Sequence, residues 1–212
     1  MYPAYARAER IADGTLHALG VMAALTGTIF LLIWATGMVS GAQVTALTIY
    51  GIALIATFTA SACYHMTPWE HLRPTLRRID HAAIYLKIAG TYTPLVVMLG
   101  SALAYTLLAV IWALALFGMV RKLFFWQVPG PLGSVLYLVM GWMSVVLIWS
   151  LAPILPGLAT GLIITGGLLY TAGVIFFQWE SLKFSMAIWH GFVFAASACF
   201  FAAIAMAAAA GA

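Results

Sequence analysis

The stretch ALAYTLLAVIWALALFGMV, residues 102–120, carries no charged side chain and is followed at once by Arg121 and Lys122. A run of about 20 apolar residues is the length that an α-helix needs to cross the hydrocarbon core of a bilayer. The apolar residues are continuous rather than alternating with polar ones, which argues against a membrane β-barrel. This stretch therefore predicts a transmembrane α-helix.

Six further apolar runs of similar length occupy most of the remaining sequence. Only 7% of the residues are charged and 65% are hydrophobic, whereas a soluble domain carries about 25% charged residues. We therefore expect an all-α polytopic membrane protein, with residues 1–212 forming a single domain of seven transmembrane helices. The predicted spans lie near residues 17–38, 43–65, 80–100, 102–120, 133–151, 157–178 and 186–209.

Charge is distributed unevenly between the two ends of these spans. The N-terminal segment and the loops at 66–79, 121–132 and 179–185 hold the charged residues, whereas the loops at 38–42 and 152–156 carry none. Lysine and arginine in short loops mark the cytoplasmic side of a membrane protein. The pattern predicts a cytoplasmic N-terminus and an external C-terminus, and the net charge of +4 requires no nucleic-acid partner.

Polar side chains from three predicted spans reach similar depth near the cytoplasmic boundary: His65, Asp80 and His190. Ser61 lies one helical turn deeper than His65 on the same helix face. Polar groups at this depth are costly unless they are paired, face a cavity or bind a metal. Two imidazoles, a carboxylate and a hydroxyl could form a zinc and water site, although a single histidine near the end of a span is more often an interfacial residue. The residues alone leave both interpretations open.

Three motifs resemble the bacterial hemolysin III family, which belongs with the progestin and adipoQ receptors and the adiponectin receptors. They are Ser61-xxx-His65, Arg77-Arg78-Ile-Asp80-His81-Ala-Ala-Ile-Tyr85-x-x-Ile-Ala-Gly-Thr-Tyr-Thr-Pro94 and Ala187-Ile-Trp-His190. The resemblance implies seven spans, an internal N-terminus and an external C-terminus. It also implies a zinc ion at the cytoplasmic side that activates water for attack on a lipid amide or ester.

Carried over to this chain, the resemblance gives His65 and His190 as metal ligands, Asp80 as a general base and Ser61 as a polar partner of the site. It also implies a third histidine at position 186, where this chain has Met186. A thioether is a soft ligand that suits copper(I) better than zinc. Three outcomes are therefore open: a substitute ligand from Asp80, His81 or His17 completes a zinc site, a softer metal binds, or the metal has been lost.

Lys87 is the one charged residue well inside a predicted span, seven residues after Asp80. A lysine at this depth is expensive and often functional. Its long side chain could extend back to the interface, which is the simpler interpretation. Alternatively, it faces a cavity and forms a salt bridge with Asp80.

Two classes of function follow from these observations. The first is a membrane-embedded, metal-dependent hydrolase whose lipid substrate enters from the bilayer. The second is a non-catalytic protein of receptor-like, membrane-homeostasis or cytolysis-associated type, with a lipid as ligand. Membrane lipids are the expected partners, and a bacterial inner membrane is the expected location. The sequence does not indicate an oligomeric state.

Overall fold

The computed structural model describes residues 6–126, 132–179 and 181–211, and these residues form helices and no strands. Part of the predicted loop 121–132 and Glu180 lie outside the described residues. A single turn of 3-10 helix, Glu70–Leu72, precedes the third α-helix. The α-helices are α1 (Arg7–Ala35), α2 (Gly41–Met66), α3 (Arg73–Leu99), α4 (Ala102–Phe124), α5 (Leu132–Trp142), α6 (Ser144–Leu151), α7 (Gly157–Gln178) and α8 (Ser185–Ala210).

Within the described part of the chain, six helices are long and apolar enough to cross a membrane: α1, α2, α3 with its preceding 3-10 turn, α4, α7 and α8. The expectation of an all-helical polytopic membrane protein is confirmed at this level. The predicted bounds of α2, α7 and α8 agree with the structure to within two residues. The remaining apolar segment, Val135–Leu151, is shorter than these six helices.

The predicted span at 133–151 is not one continuous helix, because α5 ends at Trp142 and α6 begins at Ser144. The hydroxyl of Tyr92, on α3, shares its single proton between the carbonyl oxygens of Met140 and Gly141, each 2.8 Å away. The Ser144 hydroxyl also donates to the Gly141 carbonyl at 2.8 Å. Side chains that engage helical carbonyls in this way interrupt the regular hydrogen-bond ladder, which accounts for the break.

The first helix begins ten residues earlier than the sequence predicts, at Arg7 rather than near residue 17. The Glu9 carboxylate accepts a hydrogen bond from the Ala6 amide at 2.9 Å. A carboxylate in the first turn satisfies an otherwise unpaired amide and interacts favourably with the helix dipole. The extra turns place Asp13 and His17 four residues apart on one helix face.

The helices pack mainly as sequential neighbours, α1 with α2, α2 with α3, α3 with α4 and α7 with α8, while α8 also packs against α1 and α3. Glycines allow close approach at two of these interfaces. Gly20 of α1 lies against the Phe58 ring of α2, and Gly166 of α7 lies against the Phe200 ring of α8. Small residues commonly fill this role in membrane bundles. The packing brings the first residues of α1 and α8 next to the last residues of α2. We call this end of the molecule the charged end of the bundle.

Candidate metal centre

Four metal-ligating side chains meet at the charged end of the bundle: Asp13 and His17 from α1, His65 from α2 and His190 from α8. One donor atom from each residue lies within 4.8 Å of the donor atoms of the others. We call these four residues the Asp/His cluster. It contains both histidines that the sequence analysis assigned as metal ligands.

The Asp13 carboxylate is the centre of the cluster, because it faces all three imidazoles. Its Oδ1 accepts a hydrogen bond from His190 Nδ1 at 2.6 Å. Its Oδ2 lies 3.4 Å from His17 Nε2 and 3.3 Å from His65 Nδ1. The three rings crowd around it, with centroid separations of 4.4 to 4.9 Å.

The cluster is almost fully removed from solvent. Asp13 is 8% exposed, His17 3% and His190 9%, and the His65 side chain is 5% exposed. His17 Nε2 has no hydrogen-bond partner among the described residues, since its contact with Asp13 lacks hydrogen-bond geometry. A buried polar atom without a partner is unfavourable, so the cluster is incomplete as a purely hydrogen-bonded arrangement.

The donor set fits zinc. Zinc binds imidazole nitrogen and carboxylate oxygen at roughly 2.0–2.2 Å in tetrahedral geometry, which places donors around one ion about 3.3–3.6 Å apart. The separations between Asp13 and both His17 and His65 fall at or near this range. Zinc would replace the hydrogen bond between His190 and Asp13, because the ligand forms of these residues are the neutral imidazole and the carboxylate.

The structure places Asp80 and Ser61 beside the cluster rather than within it. The Ser61 hydroxyl lies next to the Asp80 carboxylate, and both residues line a large cavity. Asp80 is close enough to His65 and His17 to interact with them electrostatically. The sequence analysis considered Asp80 both as a general base and as a substitute ligand. Asp80 lies outside the four-donor group, and its assignment as a general base stays a prediction.

Among the three substitute ligands considered for the position of Met186, the structure brings only His17 into the cluster. His81 packs edge-on against Trp126, with a centroid separation of 5.3 Å, and also contacts Phe177. Met186 lies four residues before His190. It borders the large cavity together with His17 and His65.

Asp13 is the cluster residue that sequence reasoning missed. The available signal was the spacing Asp13-xxx-His17, which places two ligating side chains on one helix face. That signal was hidden because the predicted first span began at residue 17, so that Asp13 fell in a polar terminus. Because α1 extends back to Arg7, this polar segment is helical and Asp13 becomes part of the site.

Two cavities meet at the cluster. The cavity that Asp80 and Ser61 line encloses about 600 Å³ and is bordered by His17, His65 and His190 at the charged end. The second lies at the beginning of α1, where Asp13 and Arg10 help to line it. His65 and Met186 border both cavities. The cluster therefore separates an internal space from a groove at the charged end.

The fold and this site define a class: a polytopic helical membrane protein with a buried histidine and carboxylate centre between three of its helices. Comparison with known proteins makes the class specific. The family model described as haemolysin-III related matches residues 6–201. The chain belongs to this family, as the sequence motifs predicted.

Individual relatives agree with the family match. The chain is 38% identical over 194 residues to the hemolysin-3 homolog of Bacillus subtilis (strain 168), covering 91% of both proteins. It is 39% identical to hemolysin-3 of Bacillus cereus, covering 91% of this chain and 89% of that protein. The human monocyte to macrophage differentiation factor is 32% identical over 164 residues, covering 74% of this chain and 67% of the relative.

Proposed function

We propose that this integral membrane protein is a zinc-dependent hydrolase that cleaves an amide or ester bond in a membrane lipid. The observation that carries the proposal is the buried Asp/His cluster, with its unpartnered His17 Nε2, at the wall of a cavity that Asp80 and Ser61 also line. His17, His65, His190 and Asp13 would hold the metal. Asp13 takes the place of the ligand that Met186 cannot supply to zinc.

The chemistry requires a water nucleophile, a base and a polarised carbonyl. Zinc supplies Lewis acidity, which polarises a carbonyl oxygen and makes water more acidic. Asp80 accepts a proton from the attacking water at its carboxylate, and the adjacent Ser61 hydroxyl orients that carboxylate. The proton then passes to the departing amine or alkoxide as the carbon–nitrogen or carbon–oxygen bond breaks.

The cavity supports a lipid substrate. Most of its lining is apolar, and its volume of about 600 Å³ lies within the roughly 300–1,000 Å³ typical of small-molecule sites. We place this site at the cytoplasmic side of a bacterial inner membrane, in a single seven-span domain with an internal N-terminus and an external C-terminus. Apolar helices, positive loop charge and the Bacillus relatives support this arrangement.

The decisive experiment measures fatty acid release from a ceramide and from a monoacylglycerol with the same acyl chain, in mixed micelles with zinc-loaded protein. We expect release that a chelator abolishes and added zinc restores. Asp80→Asn should lower the rate by about 10²–10⁴-fold without removing zinc. Glu70→Gln is the matched control, because Glu70 is exposed and pairs with Arg73, so it should retain activity.

One observation favours a second candidate, a non-catalytic lipid receptor with a structural metal. The cluster offers four protein donors, and zinc with four protein ligands is typical of structural sites, whereas catalytic zinc keeps an open position. In that case zinc-loaded protein would release no fatty acid from either lipid. Chelation would instead lower its thermal stability.

A further inference from the structure

Lys87 lies in the interior of the helix bundle and does not extend to the membrane surface. It is 8% exposed and borders the large cavity. Its ammonium donates a hydrogen bond to the Ser197 hydroxyl of α8 at 2.7 Å. Lys87 follows Asp80 by seven residues, and Ser197 follows His190 by seven. The bond therefore lies about two helical turns, roughly 10 Å, deeper than the charged end, and the extension to the interface considered from the sequence does not occur.

The hydrogen bonds of Ser197, the acceptor of Lys87, can be assigned. Ser197 donates its hydroxyl proton to the Val193 carbonyl at 2.6 Å. The Tyr170 hydroxyl, 2.8 Å from Ser197 Oγ, must therefore be a donor to Ser197, as is Lys87. A serine oxygen has two acceptor positions, so Ser197 is saturated by these two donors.

The positive charge of Lys87 has no anionic partner in the structure. Among residues 6–126, 132–179 and 181–211, no carboxylate lies within ion-pair distance of its ammonium, and the salt bridge to Asp80 considered from the sequence is absent. The ammonium instead lies 5.0 Å from the centre of the Phe58 ring and 4.8 Å from that of Tyr170. Aromatic faces attract a cation but leave its charge uncompensated, and a buried unpaired charge is costly.

The cavity around Lys87 changes character along its length. Towards the charged end it is bordered by Asp80 and the three histidines of the cluster, whereas beyond Lys87 its lining includes Leu95, Leu151 and Ile163. Leu95 follows Lys87 by two further turns of α3. A ligand whose head group meets Lys87 can therefore extend an apolar chain away from the Asp/His cluster.

We propose that Lys87 is the head-group site for a long-chain fatty acid bound in this cavity as the carboxylate. One ammonium matches one negative charge. A phosphate monoester, with up to two charges and several acceptor oxygens, is better matched by arginine or by several donors. The site is separate from the Asp/His cluster and does not depend on hydrolysis.

Equilibrium binding of radiolabelled palmitate to the purified full-length protein in detergent tests this proposal. Wild type should bind palmitate saturably, and Lys87→Met should bind it at least tenfold more weakly. Lys183→Met is the matched control, because Lys183 is exposed and does not border the cavity, so its affinity should equal that of wild type. His65→Ala/His190→Ala protein should also retain palmitate binding, which separates this site from the metal centre.

Competition on wild-type protein keeps the test decisive if Lys87→Met does not fold. Hexadecanol, which has the same chain and no charge, should displace palmitate at least tenfold less effectively than unlabelled palmitate does. Equal displacement by hexadecanol, or stronger displacement by hexadecyl phosphate, would overturn the carboxylate assignment. Binding that survives in Lys87→Met and disappears in the double histidine variant would place the fatty acid at the metal centre and overturn the proposal.

Discussion

The Asp/His cluster and the Lys87 site are two polar regions on the wall of one cavity. They differ in the charge of the ligand that each would bind. The cluster brings together a carboxylate and three imidazoles, and His17 Nε2 has no hydrogen-bond partner among the described residues. Lys87 brings a cation that, in the part of the chain the structure describes, donates its hydrogen bond to a serine hydroxyl. We infer that a cation would complete the first region and an anion the second. The countercharge that is missing around a buried polar group thus indicates the charge of its ligand.

One helix connects the two regions. His190 belongs to the cluster and Ser197 binds Lys87, and both lie on α8 seven residues apart. Residues at this spacing share a helix face. Changes at the two regions can therefore be compared within the same structural framework.

The largest expected effect is at the cluster. His65→Ala/His190→Ala removes two of the four donors, so bound zinc should fall from about one ion per chain to a small fraction. Zinc should raise the free energy of unfolding of wild type by on the order of 4 kcal/mol when free zinc exceeds its Kd by about 1,000-fold. Zinc should leave the free energy of unfolding of the variant unchanged. Thermal unfolding with and without zinc measures this. His71→Ala, at an exposed histidine, should behave as wild type; an equal response in the double variant would contradict the assignment.

A rescue experiment sharpens the role of Asp13. Asp13→Ala should weaken zinc binding by at least tenfold, because it removes the carboxylate that faces all three imidazoles. Met186 lies four residues before His190 and borders both cavities. Asp13→Ala/Met186→His should therefore recover most of the lost affinity through a histidine pair on α8. Competition with a chromophoric chelator measures this, and the absence of recovery would show that Asp13 does not replace a ligand at position 186.

Sequence reasoning reached the residues whose role depends on local pattern. The apolar runs predicted the six long helices that the structure describes, and the motifs placed His65 and His190 at one site. The break between α5 and α6 was not predictable, because it depends on the Tyr92 hydroxyl from a distant helix. Asp13 was missed because an extension of α1, stabilised by Glu9 at its first turn, lies beyond the apolar part of the span.

The smallest expected effect concerns the hydrogen bond between Lys87 and Ser197. Ser197→Ala leaves a buried ammonium without its acceptor and should lower the free energy of unfolding by about 1–3 kcal/mol. In a Lys87→Met background the same change should cost about 1 kcal/mol or less, since the ammonium is gone. Chemical unfolding in detergent provides this double-mutant cycle. Equal costs in both backgrounds would mean that Ser197 does not stabilise the lysine.

We infer that Asp13, and not Asp80, is the carboxylate that would hold zinc. Elemental mass spectrometry of purified wild type, Asp13→Asn and Asp80→Asn tests it with the same chemical change at both positions. We expect about one zinc per chain in wild type and Asp80→Asn, and a large loss of zinc in Asp13→Asn. Loss of zinc in Asp80→Asn with full retention in Asp13→Asn would contradict it.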